Sequence, residues 1–283
     1  MAIFEIKNLN LRYPSAKHDV LVVEELDIHE GEIVFVVGPS GIGKSTLLET
    51  LGLMTNTISE PNSSEANFKF LGNQSLLRIW LQGDVAASQI RREHFSFVFQ
   101  NTNLLYNLTA LENVMITSIL QGESLEKAEA VAREVLGRLI PDLNINAHVS
   151  ALSGGQRQRL AFARAIACRH EIFFADEPTG NLDQGNAKIL MDLLTKQLRD
   201  TNKTAVIVSH SIEHAMSYAT KIVWMDAQFW PDGTKYGLIS AFRNYSKAKD
   251  ADIWVNQTGD KISQHELEMN IRRYLEVMAT TEA

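Results

Sequence analysis

The sequence predicts an α/β protein on a mainly parallel sheet, with a helical subdomain inserted into it, and three observations lead there. Short continuous apolar runs bounded by turn or polar residues recur at 33–37, 95–99, 172–175, 205–208 and 221–225, which is how strands buried on both faces read. Helical patterns lie between several of them, and strand alternating with helix makes a parallel sheet. The stretch 101–151 lacks such runs and contains 125–139, whose Glu, Lys, Ala and Leu content favours helix.

In chain order, the strand at 33–37 precedes a helix over 45–53. The stretch 56–66, with Pro61-Asn62-Ser63-Ser64, is rich in turn formers and leads into a strand at 68–70. The run at 95–99 precedes the helical insertion. Helices over 156–167 and 187–199 flank the strand at 172–175, and strands at 205–208 and 221–225 follow. Beyond about residue 241 one helix stands out: Ser263 with Glu266 three residues on forms a capping box, and Leu267, Ile271, Tyr274, Leu275 and Met278 share one apolar face. That face either packs on the body of the protein or docks a partner.

Composition narrows the class. With 283 residues, 45% apolar and 22% charged, the chain is an ordinary globular one, and disorder and fibrous repeats are excluded. A net charge of -7 leaves no whole-chain basic surface for nucleic acid. The single cysteine, Cys168, sits among apolar neighbours and reads as a small buried hydrophobe. The longest apolar run, 33–37, is far shorter than the ~20 residues of a membrane-spanning helix. The expectation is a chain that neither spans a membrane nor carries an export signal, in a reducing compartment.

Three motifs carry chemistry. Gly38-Pro39-Ser40-Gly41-Ile42-Gly43-Lys44-Ser45-Thr46 matches the phosphate-binding loop, between a buried strand and a helix as that pattern requires. Its glycines let the backbone approach, its N–H groups and helix N-terminus face phosphate, Lys44 supplies positive charge, and the Ser45 hydroxyl is offered to Mg²⁺. The apolar strand 172–175 ends in Asp176 and Glu177, at the carboxyl end where α/β sheets bind ligands. Asp176 there can hold the Mg²⁺ shell, and Glu177 can accept a proton from attacking water. Read alone, the pair is as readily a helix cap or an acidic turn. Leu152-Ser153-Gly154-Gly155-Gln156 opens a helix and is a second anion site, with a hydroxyl and glycine N–H groups at a helix N-terminus.

Together these motifs resemble the ATP-binding-cassette (ABC) superfamily. The resemblance implies a P-loop NTPase (RecA-like) core with a mainly parallel sheet, an antiparallel N-terminal β subdomain and the inserted helical subdomain. It implies a cassette over about 1–240, the helical subdomain about 101–157, and an extension over 241–283 with its helix at 263–279. Residue by residue, Gln100 resembles the glutamine that senses Mg²⁺ and the attacking water. Asp183, in Asn181-Leu182-Asp183, resembles the aspartate that crosses the dimer interface, and His210 the switch histidine at the γ-phosphate. Tyr13, 25 residues before Gly38, resembles the aromatic that stacks on adenine.

The resemblance further implies a head-to-tail dimer, with itself or a homologous ATPase subunit. The phosphate loop of each subunit would face residues 152–156 of the other and trap ATP and Mg²⁺. Glu177 would act as base, with His210, Lys44 and Gln100 completing the site. The runs 175–183 and 108–114 are similar to the group containing lipoprotein-release, macrolide-efflux and cell-division ATPases. That implies an ATPase subunit driving separate integral membrane subunits from the cytoplasmic face of the inner membrane, without nucleic acid. The alternatives are a soluble cassette ATPase of translation or DNA maintenance, and a module that closes on ATP without hydrolysing it. The first lacks a second cassette or a long heptad coil here. The second is opposed by the presence of Glu177, Gln100 and His210.

Overall fold

The structure, a computed structural model, describes residues 1–58, 65–72, 74–248 and 252–281. Much of the turn-rich stretch around Pro61 lies outside the described residues. The chain forms two compact units, residues 1–87 with 206–283, and residues 88–205.

The first unit begins with strands β1 (Ala2–Leu11) and β2 (Leu21–His29), paired antiparallel. Strand β3 (Ile33–Val37), buried at all five positions, runs through a glycine-rich loop into helix α1 (Lys44–Leu51). Strand β4 (Asn67–Phe70) pairs antiparallel with β1, and β5 (Gln74–Ser75) with β4. Phe68 and Phe70 pack on Phe4, with ring centroids 5.9 and 5.3 Å away. These three rings are fully buried and join the aliphatic side chains of β1 and β2 on the sheet's buried face. Helix α2 (Asp84–His94) carries the chain into the second unit.

There, β6 (Phe95–Val98) leads to the helical region: α3 (Ala110–Leu120), α4 (Leu125–Leu139) and α5 (Gly154–Ala167). Val114 of α3, Val135 and Leu136 of α4, and Leu160 and Ala161 of α5 form one buried cluster. Thr109 and Ser153 close full capping boxes on α3 and α5. Strand β7 (Ile172–Asp176) lies parallel to β6, with Phe174 stacked on Phe97 at 5.2 Å. Helix α6 (Gln184–Asp200) and β8 (Thr204–Val208) complete the segment, and β8 returns the chain to the first unit.

The first unit resumes with α7 (Ile212–Tyr218) and β9 (Lys221–Trp224), which pairs parallel with β3. Next come the hairpin β10 (Asp226–Phe229) and β11 (Lys235–Ile239), three strands β12 (Asn244–Lys247), β13 (Ile253–Asn256) and β14 (Lys261–Ser263), and helix α8 (Gln264–Thr281). Strand β11 joins β2, giving the sheet order β10-β11-β2-β1-β4-β5. Its strands pair antiparallel except β11 with β2, which run parallel.

The tail is more ordered than its composition predicts. Strands β12 to β14 extend antiparallel from β9, although Asn-Tyr-Ser-Lys and Lys-Ile-Ser show no apolar run. Their neighbours, and the fully buried Trp254, hold them. Helix α8 begins at Gln264, with the Ser263 hydroxyl accepting from the Glu266 N–H. Leu267 and Ile271 are fully buried, and the Tyr274 hydroxyl accepts from the Ala227 N–H at 2.7 Å. Cys168 departs from expectation: it is only half-buried.

Candidate nucleotide site

In the first unit the loop 38–43 leaves β3 and enters α1. Gly43 sits at φ +90°, where a side chain would be strained and a Cβ would stand 3.2 Å from the Val20 carbonyl. The Lys44 ammonium curls back into the loop, donating to the carbonyls of Gly38 (2.9 Å) and Pro39 (2.6 Å), and is almost fully buried. A buried ammonium held within a glycine-rich loop at a helix N-terminus is chemistry suited to a phosphate. Tyr13, from the loop joining β1 and β2, reaches the same helix: its hydroxyl donates to Glu49 Oε2 at 2.8 Å and lies 3.2 Å from Thr46 Oγ1. Burial raises the phenol pKa. His210 is exposed just past β8, two residues before α7.

One residue of this region escaped the sequence reading. Gly237, in the middle of β11, lies so close to the Ile42 carbonyl that a Cβ there would overlap it. An isolated glycine inside a strand signals close backbone approach, but not what approaches.

In the second unit β7 ends at Asp176, whose Oδ1 is buried and without a hydrogen-bond partner among the described residues. An orphaned carboxylate oxygen at a strand's carboxyl end is costly unless a cation or water completes it. It fits a hard divalent ion such as Mg²⁺, which takes one or two protein carboxylates and completes its shell with water and phosphate. The next residue, Glu177, is half-buried with φ +47°, a left-handed conformation rare for a side-chain-bearing residue. Gly180 lies near both side chains: a Cβ there would stand 3.4 Å from Gln100 Nε2 and 3.7 Å from Glu177 Oε2. The Asn181 amide donates to the Gln100 carbonyl at 3.1 Å, so the loops after β6 and β7 are tied together.

Helix α5 opens with Ser153, whose hydroxyl accepts from the Gln156 N–H at 3.2 Å while Gln156 Oε1 accepts from the Ser153 N–H at 2.9 Å. Gly154 and Gly155 meet no neighbouring atom where a Cβ would stand, so the helix N-terminus is open to an incoming group. Buried Gln158, also missed in the sequence, donates to the Pro178 carbonyl at 2.6 Å and ties α5 to the segment carrying Glu177. Arg164 donates to the carbonyls of Thr102 and Asn103 and fixes the loop after Gln100. Asp183 caps α6: Asn186 donates to both its oxygens, which holds the carboxyl pKa below the ordinary value.

Known proteins are similar to this chain. The ABC transporter family model matches residues 23–180. The macrolide export ATP-binding/permease protein MacB of Salmonella typhimurium is 41% identical over 211 residues, 74% of this chain but 31% of that protein. The chain thus spans about a third of the length of such relatives. The lipoprotein-releasing system ATP-binding protein LolD of Zymomonas mobilis is 34% identical over 75% of this chain and 88% of its own. The ATP-binding cassette MJ0796, solved as a dimer after hydrolysis with ADP and Pi bound, superposes with a TM-score of 0.66 at 34% identity, over 78% of this chain and 93% of that one. CbiO1 of Clostridium perfringens, at 21% identity and a TM-score of 0.69 over 84% of this chain and 87% of that one, shares the fold. The phosphate loop, the acidic end of β7, the open start of α5 and these matches lead to one conclusion: the chain belongs to the ABC transporter family and is an ATP-binding, ATP-hydrolysing cassette.

Proposed function

We propose that this ATPase works as a head-to-tail dimer that drives integral membrane subunits, in the manner of lipoprotein-releasing or macrolide-exporting assemblies. The reading rests on the likeness to LolD over nearly all of that protein's length, and on MJ0796, which was solved as a dimer. Among the described residues no helix is long and apolar enough to cross a membrane, so the membrane subunits would be other polypeptides or other segments.

Each side chain takes a role. Lys44 and the N–H groups of the loop 38–46, Pro39 having none, bind the β- and γ-phosphates, and Tyr13 stacks on the adenine. Ser45, Asp176 and Gln100 are the side chains that would hold Mg²⁺, which when bound offsets charge developing on the phosphates. Glu177 accepts the proton of the attacking water, and His210 orients the γ-phosphate. Ser153, Gly154, Gly155 and Gln156 receive the phosphate of ATP held by the second subunit, and Asp183 lies at that dimer interface. The single observation that carries the catalytic assignment is Glu177, held in a left-handed backbone at the end of β7 on the loop that Asn181 ties to Gln100.

The test is Glu177→Gln, which keeps size and hydrogen bonding but removes the base. Turnover should fall by about 10²–10⁴-fold while ATP binding persists. Retained turnover would remove Glu177 from the mechanism. Copurification with a membrane protein tests the assembly, and association with ribosomes or DNA instead would favour the soluble alternative.

A further inference from the structure

The β10–β11 hairpin touches both ends of the first unit's nucleotide-binding surface. At its tip, the Trp230 indole donates to the Asp19 carbonyl at 3.1 Å, and its ring stacks on His18 at 5.3 Å and on Tyr236 at 4.8 Å. Beside it, Asp232 Oδ2 pairs with Lys17 Nζ at 3.1 Å and His18 Nε2 at 2.8 Å, while its Oδ1 accepts from the Thr234 N–H. Lys17, His18 and Asp19 belong to the loop 12–20, the loop that carries Tyr13. That loop is closed at its base by the Val20 N–H donating to the Leu11 carbonyl at 2.8 Å, and folded inside by the Ala16 N–H donating to the Tyr13 carbonyl at 2.9 Å.

At the hairpin's base, Lys235 Nζ donates to the Ser40 carbonyl at 3.0 Å, and Gly237 lies against the Ile42 carbonyl. The Gly237 N–H donates to the Val20 carbonyl at 2.9 Å, the atom that Gly43 also faces. Loop 12–20, the phosphate loop and β11 therefore meet at Val20, and the hairpin continues from that junction to the far side of the Tyr13 loop.

We propose that the β10–β11 hairpin is a positioning strut of the nucleotide site: its tip clamps the loop that presents Tyr13, and its base rests on the phosphate loop. One element thereby sets the spacing between the base and the triphosphate. A surface loop of this length would otherwise sample many conformers, and ordering it on binding would cost affinity. The clamp supplies that order beforehand, through an aromatic stack, an ion pair and an indole hydrogen bond. Trp230, His18 and Asp232 act through Tyr13 and touch no substrate. The proposal rests on the assignment of Tyr13 to the adenine and of residues 38–46 to the phosphates.

Titration calorimetry on the full chain with two probes, ATP and inorganic tripolyphosphate, tests it. Tripolyphosphate has no base, so it reports the phosphate loop alone. Tyr13→Ala should weaken ATP by about tenfold and leave tripolyphosphate within about twofold. Trp230→Ala should weaken ATP by about fivefold with the same selectivity, and should add nothing in the Tyr13→Ala background. Trp230→Phe keeps the stack and should recover most of the loss. If Trp230→Ala does not fold, Asp232→Asn, an exposed change at the same clamp, should show the same selective loss in smaller measure. Equal weakening of both probes by Trp230→Ala, or losses that simply add to those of Tyr13→Ala, overturns the strut. A selective effect of Tyr13→Ala with none from Trp230→Ala or Asp232→Asn overturns the strut while the Tyr13 assignment stands. No selective effect of Tyr13→Ala removes the assignment itself, and the strut with it.

Discussion

Glu177 shows how much of a site residue is visible before the fold is known. Its place after an apolar run ending in Asp176 is legible as a strand terminus with two acids. Its left-handed φ of +47° and the bond by which Asn181 ties its loop to Gln100 are not, because the latter joins two loops distant in sequence and the former has no signature in residue type. Gly237 is the reverse case, unremarkable in sequence yet packed directly against the Ile42 carbonyl. Gly237→Ala forces the β11 backbone away from the Ile42 carbonyl. Overpacking of this kind costs about 1–3 kcal/mol, so chemical denaturation should show a loss of that order, and ATP and tripolyphosphate should weaken together because the phosphate loop itself shifts. Tyr13→Phe separates two jobs of one side chain. The ring remains, the bonds to Thr46 and Glu49 go, and binding should fall less than in Tyr13→Ala by calorimetry.

Elements were legible where their own residues decide them. Strand β3, helix α4 and the core of β7 agree with expectation because burial on both faces, or a helix-rich composition with a Ser124 cap, leaves a mark in a short window. Strands β12 and β14 left none, since short polar strands exist only through pairing with a neighbour. Ser153→Ala tests an element with two duties. Loss of the cap should cost about 1 kcal/mol in unfolding free energy, and ATPase should fall further than that explains if residues 153–156 also receive phosphate. Deleting residues 264–283 uncovers the sites of Leu267 and Ile271, each contributing up to about 1.5–3 kcal/mol of burial, so the truncated protein should melt earlier or become insoluble.

The hairpin clamp also has a pH signature. Bonds from Thr234, then His18 and Lys17, hold the Asp232 carboxyl well below its ordinary value of 3.8. A depressed carboxyl stabilises the fold above its unfolded pKa and loses that contribution as pH falls through the folded value. Asp232→Asn should therefore lower Tm at neutral pH, with the gap from the parent closing below about pH 4. A gap unchanged down to pH 2 would mean that the ion pair does not contribute.

At the scale of the whole molecule, one chain carries a phosphate loop and a 152–156 motif, and the proposed mechanism needs a second copy to bring opposing sets together. Glu177→Gln should accumulate as a dimer when ATP is added, seen by light scattering, and Lys44→Ala should not, because the phosphates lose their charge partner. The sequence by itself determined the family, because the motifs that carry it, such as the glycine-rich loop at a helix start, are contiguous and so are written in neighbouring residues. The tertiary structure alone decided that a hairpin some 200 residues downstream leans on that loop, that a Cβ at Gly237 would overlap the Ile42 carbonyl, and that a polar tail extends a sheet. Those depend on backbone surfaces meeting across the fold, and a carbonyl or an N–H has no letter in the sequence to announce what it will touch.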